Sequence, residues 1–143
     1  MDERLISYLY FFNVKQDYYE CHEYGEHLWL ELGRPVILKG LIQSAVCLYH
    51  LHNGNLTGAR RMWARARVYL LEGVPNYEGI NTAKLRDDID SIFNAIKPYV
   101  HMQMVSPKVI QDLMLPKVTI EILDPETVDK ISVWIPKPLH TPD

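Results

Sequence analysis

Cysteine is scarce: Cys21 and Cys47 are the two present in 143 residues, too few for a disulfide framework and not arranged as a CxxC pair. Positive charge is not in excess either. Fifteen Lys and Arg stand against eighteen Asp and Glu, a formal net charge of −3 with His neutral, which argues against a dedicated nucleic-acid binder or a protein drawn to anionic lipid. No glycine-rich phosphate loop and no nucleophile elbow occurs, so two common signatures of nucleotide binding and hydrolysis are missing. The longest apolar stretch, 36–51, is broken by Lys39, Gln43 and His50 and falls short of a bilayer span. The start, MDERLISYLYFF, has acidic flanking residues and no small-residue cleavage site after its apolar run. These absences set the expectation of a cytoplasmic protein with no membrane or nucleic-acid partner. What is present is a composition 48% hydrophobic and 23% charged, enough apolar material for one packed core.

Glycine and proline divide the chain. All seven glycines lie at or before Gly79, and six of the nine prolines lie from Pro107 onward. A helical domain over 1–105 and a proline-rich extension over 106–143 are expected. Leu5, Ile6, Leu9 and Phe12 recur at helical spacing, with Asn13 as a stop. Asp17 followed by Glu20 resembles a capping box and predicts a second helix from Tyr18 to Leu32, closed by Gly33. Pro35 pre-sets the first turn of a third helix, 36–52, which is apolar nearly all round and therefore central. Leu56, Ala59, Met62, Trp63, Ala66 and Tyr69 define a fourth, and Leu85, Ile89, Ile92, Phe93 and Ile96 a fifth, with Asn81 or Thr82 as its cap. The expected fold is all-α, a compact multi-helix bundle. In the extension, alternation over 117–123 and again over 131–135 predicts two strands joined by a turn at Asp124–Thr127. An isolated hairpin is marginal unless it docks, so it is read as packing on the body or as an arm toward a second copy.

One segment gathers chemistry. His22, Glu26 and Trp29 are spaced by four and three residues and project on one helix face. His27 is five from His22, so the two-histidine HExxH zinc arrangement is absent. On the next helix Lys39, Gln43, Cys47 and His50 share a face. An antiparallel pairing of the two helices places Trp29 near the start of the third helix, Glu26 near Lys39, His22 near Gln43, and His50 toward Tyr18 and His22. A His and a carboxylate one turn apart, met by a second His from a facing helix, can ligate a divalent transition metal in a helical core. His22, Glu26 and His50 are the candidate ligands, supported by Trp29, Gln43, Lys39 and Tyr18. The competing reading is structural: a buried His–Glu pair satisfies its own polar atoms and locks helix register.

The run Phe12-Asn13, Tyr19-Glu20-Cys21-His22-Glu23, Glu26 and Trp29, followed by 39–46, Tyr49-His50 and 54–60, resembles the bacterial and archaeal DUF309 family over about 12–96. The HxxxExxW/Y motif of that family is met by His22, Glu26 and Trp29. The resemblance implies an all-helical cytosolic protein without an established activity and with a suggested metal site. Two functional classes are thus in view. One is a metal-assisted hydrolase using His22 and Glu26 as ligands, His50 as third ligand or base, and Gln43 to orient water. The other is a helical interaction module, with a homodimer or another protein as partner, in which the His–Glu cluster is structural. Arg60, Arg61, Arg65 and Arg67 on the fourth helix read as a solvated face that Asp87, Asp88 and Asp90 can neutralise.

Overall fold

The computed structural model describes residues 1–99 and 101–139. Helix α1 (Glu3–Tyr10) starts where the Asp2 carboxylate accepts from the Arg4 amide, and it runs on into a π-helical turn, Phe11–Lys15. Helices α2 (Tyr18–Glu31), α3 (Val36–His52), α4 (Leu56–Tyr69) and α5 (Thr82–Ala95) follow the expected order. Three of these starts carry a side-chain cap: Asp17 accepts from the Glu20 amide and Asn81 from Lys84, as the sequence suggests, and Asn55, which the sequence reading did not assign as a cap, accepts from Gly58. Asn81 is thus the cap of α5, while Thr82 is buried and donates its hydroxyl to the carbonyls of Gly73 and Pro75.

Helix α3 is the centre, as its apolar circumference predicts. It packs between α2 and α4, and Leu38, Leu41, Ala45, Cys47, Leu48 and Leu51 are all buried. Gly40 is what lets α4 come close: a Cβ there would meet the Leu70 amide nitrogen at 2.9 Å. Helix α1 lies on α2, where the buried Tyr8 hydroxyl donates to the Leu41 carbonyl at 2.6 Å. A short antiparallel ribbon, β1 (Asn76–Tyr77) and β2 (Ile80–Asn81), leads into α5. That helix meets α4 through stacked Trp63 and Phe93, and Asp90 accepts from the Trp63 indole and the Arg67 guanidinium. The arginines of α4 are therefore partly committed: Arg67 to Asp90 and Arg60 to the Met102 carbonyl at 2.8 Å.

The C-terminal hairpin expected from alternation is not formed. Residues 125–132 are helix α7 (Pro125–Ser132), because Asp124 caps it and Pro125 occupies its first turn, chemistry that the sequence reading assigned to a turn. The other half, 117–123, is extended as read, with Val118 and Ile120 buried, but it pairs elsewhere. Its neighbours are Gly79 and Asn81, which exchange backbone hydrogen bonds with Leu123 and Glu121. Alternation reports which face of a strand is buried and is silent about which backbone sits beside it. After α6 (Pro107–Asp112), the chain thus folds back on its own body: Ile110, Val118, Ile120 and Ile131 join the core, and the Trp134 indole donates to the Ser7 hydroxyl at 2.9 Å. Among the described residues no helix is long and apolar enough to cross a membrane.

Candidate ligand cleft along the α2–α3 seam

Gly33 and Arg34, both in the left-handed region, turn the chain between α2 and α3 and lay the two helices side by side. Side chains one turn apart on each helix then face a common seam. On α2 these are His22, Glu26 and Trp29; on α3 they are Lys39, Ile42, Gln43 and Val46. Together with Met62 from α4 they line a cavity of about 280 Å³. A second cavity of about 160 Å³ adjoins it, walled by Tyr18, Tyr19, Tyr49 and His50, and shares His22 and Val46 with the first.

His22 is the hinge between the two. Its Nε2 lies 2.9 Å from Glu26 Oε2, and its Nδ1 lies 3.4 Å from Glu23 Oε1, so each ring nitrogen faces a carboxylate. The side chains of His22 and Glu26 are 30% and 48% exposed. A solvent-exposed contact between side chains one helical turn apart contributes at most about 0.3–0.5 kcal/mol, so locking α2 is a weak reason for its presence.

Two residues that line the first cavity carry orphans. Trp29 Nε1, a donor, and Gln43 Oε1, an acceptor, are shielded from solvent and have no hydrogen-bond partner among the described residues. Buried polar side-chain atoms are nearly always paired, and each left alone costs roughly 1–3 kcal/mol. Trp29 and Gln43 both line the cavity, so the side chains that wall it are where the fold leaves polar atoms unsatisfied.

Of the candidate metal ligands, His22 and Glu26 are thus adjacent in the first cavity. His50 lies on the wall of the second, half-buried, with its Nδ1 3.3 Å from Asn55 Nδ2. Among the described residues no group of three or more His, Cys, Asp or Glu side chains is placed to hold a metal ion. Of the supporting residues, Trp29, Lys39 and Gln43 line the first cavity, and Tyr18 forms the inner wall of the second. Burial pushes the Tyr18 phenol up to about 12, so it stays protonated and serves as a wall. Cys47, placed with the polar stripe by spacing, turns into the core, and Val46 takes the position at the seam. Burial raises both thiols, Cys21 and Cys47, which keeps them protonated and unreactive.

Residues the sequence reading missed are Ile42, Val46, Tyr19, Tyr49 and Met62. The first four were open to it, since they flank the polar stripe at helical spacing. Met62 was not, because only the packing of α4 against α3 brings it to the cavity.

This seam falls inside a recognised segment. Residues 5–62 match the family described as a domain of unknown function, DUF309. The matched segment includes α1 from Leu5 onward, α2, α3 and the first half of α4, hence every residue that lines the two cavities. Over 97 residues the chain is 42% identical to the uncharacterised protein YpuF of Bacillus subtilis (strain 168), covering 64% of this chain and 56% of YpuF. The chain therefore spans little more than half the length of that relative. No solved structure matches the chain.

Proposed function

We propose that this DUF309 protein binds a small organic molecule in the α2–α3 cleft, one that presents a hydrogen-bond acceptor to Trp29 Nε1 and a donor to Gln43 Oε1. Trp29 and Gln43, which both line the cavity and each carry a buried polar atom without a partner among the described residues, carry this reading. A ligand toward which both side chains turn satisfies the two atoms and removes their desolvation cost, and the apolar lining of Ile42, Val46 and Met62 supplies the contact area. The indole N–H of Trp29 gives a direct test, since its proton–nitrogen NMR correlation shifts when it gains an acceptor. A screen of small polar-headed molecules against the full chain should yield compounds that move the indole signal missing from a Trp29→Phe variant and leave those of Trp63 and Trp134 in place. A screen in which every bound compound leaves that signal unmoved would defeat the reading.

A second reading is favoured by the His22–Glu26 contact. A ring nitrogen and a carboxylate oxygen 2.9 Å apart, one turn along a helix, can open to straddle a divalent transition cation. Glu23 beside Nδ1 supports this, because a metal-bound imidazole commonly donates its other N–H to a carboxylate. His22 and Glu26 would hold the cation with coordination positions left over, and the chemistry it would supply is an acidified water, as a metal-assisted hydrolase requires. Calorimetric titration with zinc and with nickel should show stoichiometric binding that His22→Ala abolishes. Full-strength binding in His22→Ala, or none in the wild type, would leave the pair as a surface ion pair.

A further inference from the structure

We infer that the cleft takes an elongated amphipathic carboxylate, with its charged head at the Trp29–Lys39 end and its apolar body laid past His22 and Val46 toward Tyr19 and Tyr49. The inference rests on the ligand-binding reading above and names the chemical class of the ligand.

The first argument is shape. The two cavities share His22 and Val46, so they are successive stretches of one groove along the seam. From Tyr19 to Trp29 the groove follows ten residues of α2, about 15 Å at the helical rise. That is long for a metabolite of a few carbons and suits an extended chain.

The second argument is charge. Lys39 lines the head of the groove, and its ammonium lies 5.1 Å from the centre of the Tyr69 ring. Arg34 lies over the Trp29 ring at 5.5 Å. Among the described residues neither cation is within ion-pair distance of a carboxylate, and the acid on the wall of that cavity, Glu26, is turned to His22. Two cations without an ion-pair partner among the described residues at one end of the groove favour an anionic group there. The chain as a whole carries −3, so this preference is local.

The third argument is the opposite end. The second cavity is walled by Tyr18, Tyr19, Val46 and Tyr49, with His50 drawn toward Asn55, and it offers almost no polar surface. Tyr19 and Tyr49 are 54% and 42% exposed, with ring centres 6.2 Å apart, a large aromatic area left in water. An alkyl or aryl body covers it. An N–H or O–H close to the carboxylate, as in an N-acyl amino acid or a hydroxy acid, satisfies the Gln43 acceptor once that side chain turns to the ligand.

N-octanoylglycine carries all three features, and its methyl ester removes the charge while keeping the N–H and the chain. Titration of the full-length protein, followed by calorimetry and by the Trp29 indole signal, should show the acid binding at least tenfold more tightly than the ester. Lys39→Met should abolish that preference, while Tyr49→Ala should weaken acid and ester alike. Circular dichroism of each variant checks that it folds. If the ester binds as tightly as the acid and moves the indole signal, the anion assignment falls and the cleft reading stands. If neither compound binds, the inference is overturned, and the wider screen decides the cleft reading separately.

Discussion

The Asn13 side chain grips the backbone of Ile120 at both its polar groups: Nδ2 donates to the Ile120 carbonyl at 2.9 Å, and Oδ1 accepts from the Ile120 amide at 2.8 Å. One amide thus does for the extended segment what a neighbouring strand would do. It couples the π-helical turn after α1 to a part of the chain 107 residues away.

Asn13→Ala should cost about 1–3 kcal/mol, because it leaves an amide and a carbonyl in a partly buried position without partners. Asn13→Asp keeps the acceptor and loses the donor, so an intermediate loss is expected. Urea denaturation of the three proteins orders them; an unchanged midpoint in Asn13→Ala would show that the clamp carries no weight.

Gly40 separates propensity from packing. In a helix interior Ala is favoured over Gly by about 1 kcal/mol. At Gly40, however, the added Cβ meets the backbone at Leu70 N, 2.9 Å, and Tyr69 C, 3.1 Å, and a backbone cannot rotate away as a side chain can. Gly40→Ala is therefore expected to destabilise by about 1 kcal/mol or more. Thermal melts give the sign directly, and a raised melting temperature contradicts the close approach.

Gln43→Met should stabilise the ligand-free protein by about 1 kcal/mol, since it replaces a buried unpaired acceptor by an apolar side chain of similar length. The same change should weaken any compound that shifts the Trp29 indole. Stability and binding moving in opposite directions is the signature of a residue kept for a ligand; a variant less stable than the wild type would point to an internal role for the Gln43 oxygen.

His52 gives the fold a pH dependence. It stacks on Tyr18, ring centres 5.6 Å apart and planes at 6°, and shares cavity walls with Lys15, Asp17 and Lys117. His52 keeps an exposed face, and desolvation of the rest of its ring lowers its pKa from 6.5. As pH falls through about 6.5 the unfolded chain takes up the proton first, so stability declines from there down to the folded-state pKa and is flat above. His52→Phe keeps the stack and removes the titration. Its urea midpoint should therefore drop less between about pH 7.5 and pH 5 than that of the wild type, carboxylate effects being common to both. Equal drops would exclude His52 as the source.

Much of the helical frame is written locally. Asp17 and Asn81 each sit three residues before the amide they cap, and Gly33 with Pro35 marks the α2–α3 turn, so short-range spacing was sufficient to find them; Asn55 has the same spacing to Gly58 but was not read as a cap. The His22–Glu26 contact was legible for the same reason, being one turn of one helix. Asp124-Pro125 shows where local reading divides, because the same two residues begin a turn or cap a helix, and the bonds made by the residues after them decide between the two.

By itself the sequence determined helices α1 to α5, the caps at Asp17 and Asn81, and most of the polar stripes of α2 and α3, since each depends on residues a few positions apart. The tertiary structure decided the rest. It set Val46 at the seam and Cys47 in the core, brought Met62 from α4 to close the cavity, left Trp29 and Gln43 without partners, and gave residue 120 to Asn13. Those outcomes depend on how far helices rotate and approach when their side chains interlock, which depends on the whole packed core and is not encoded in any one stretch of chain.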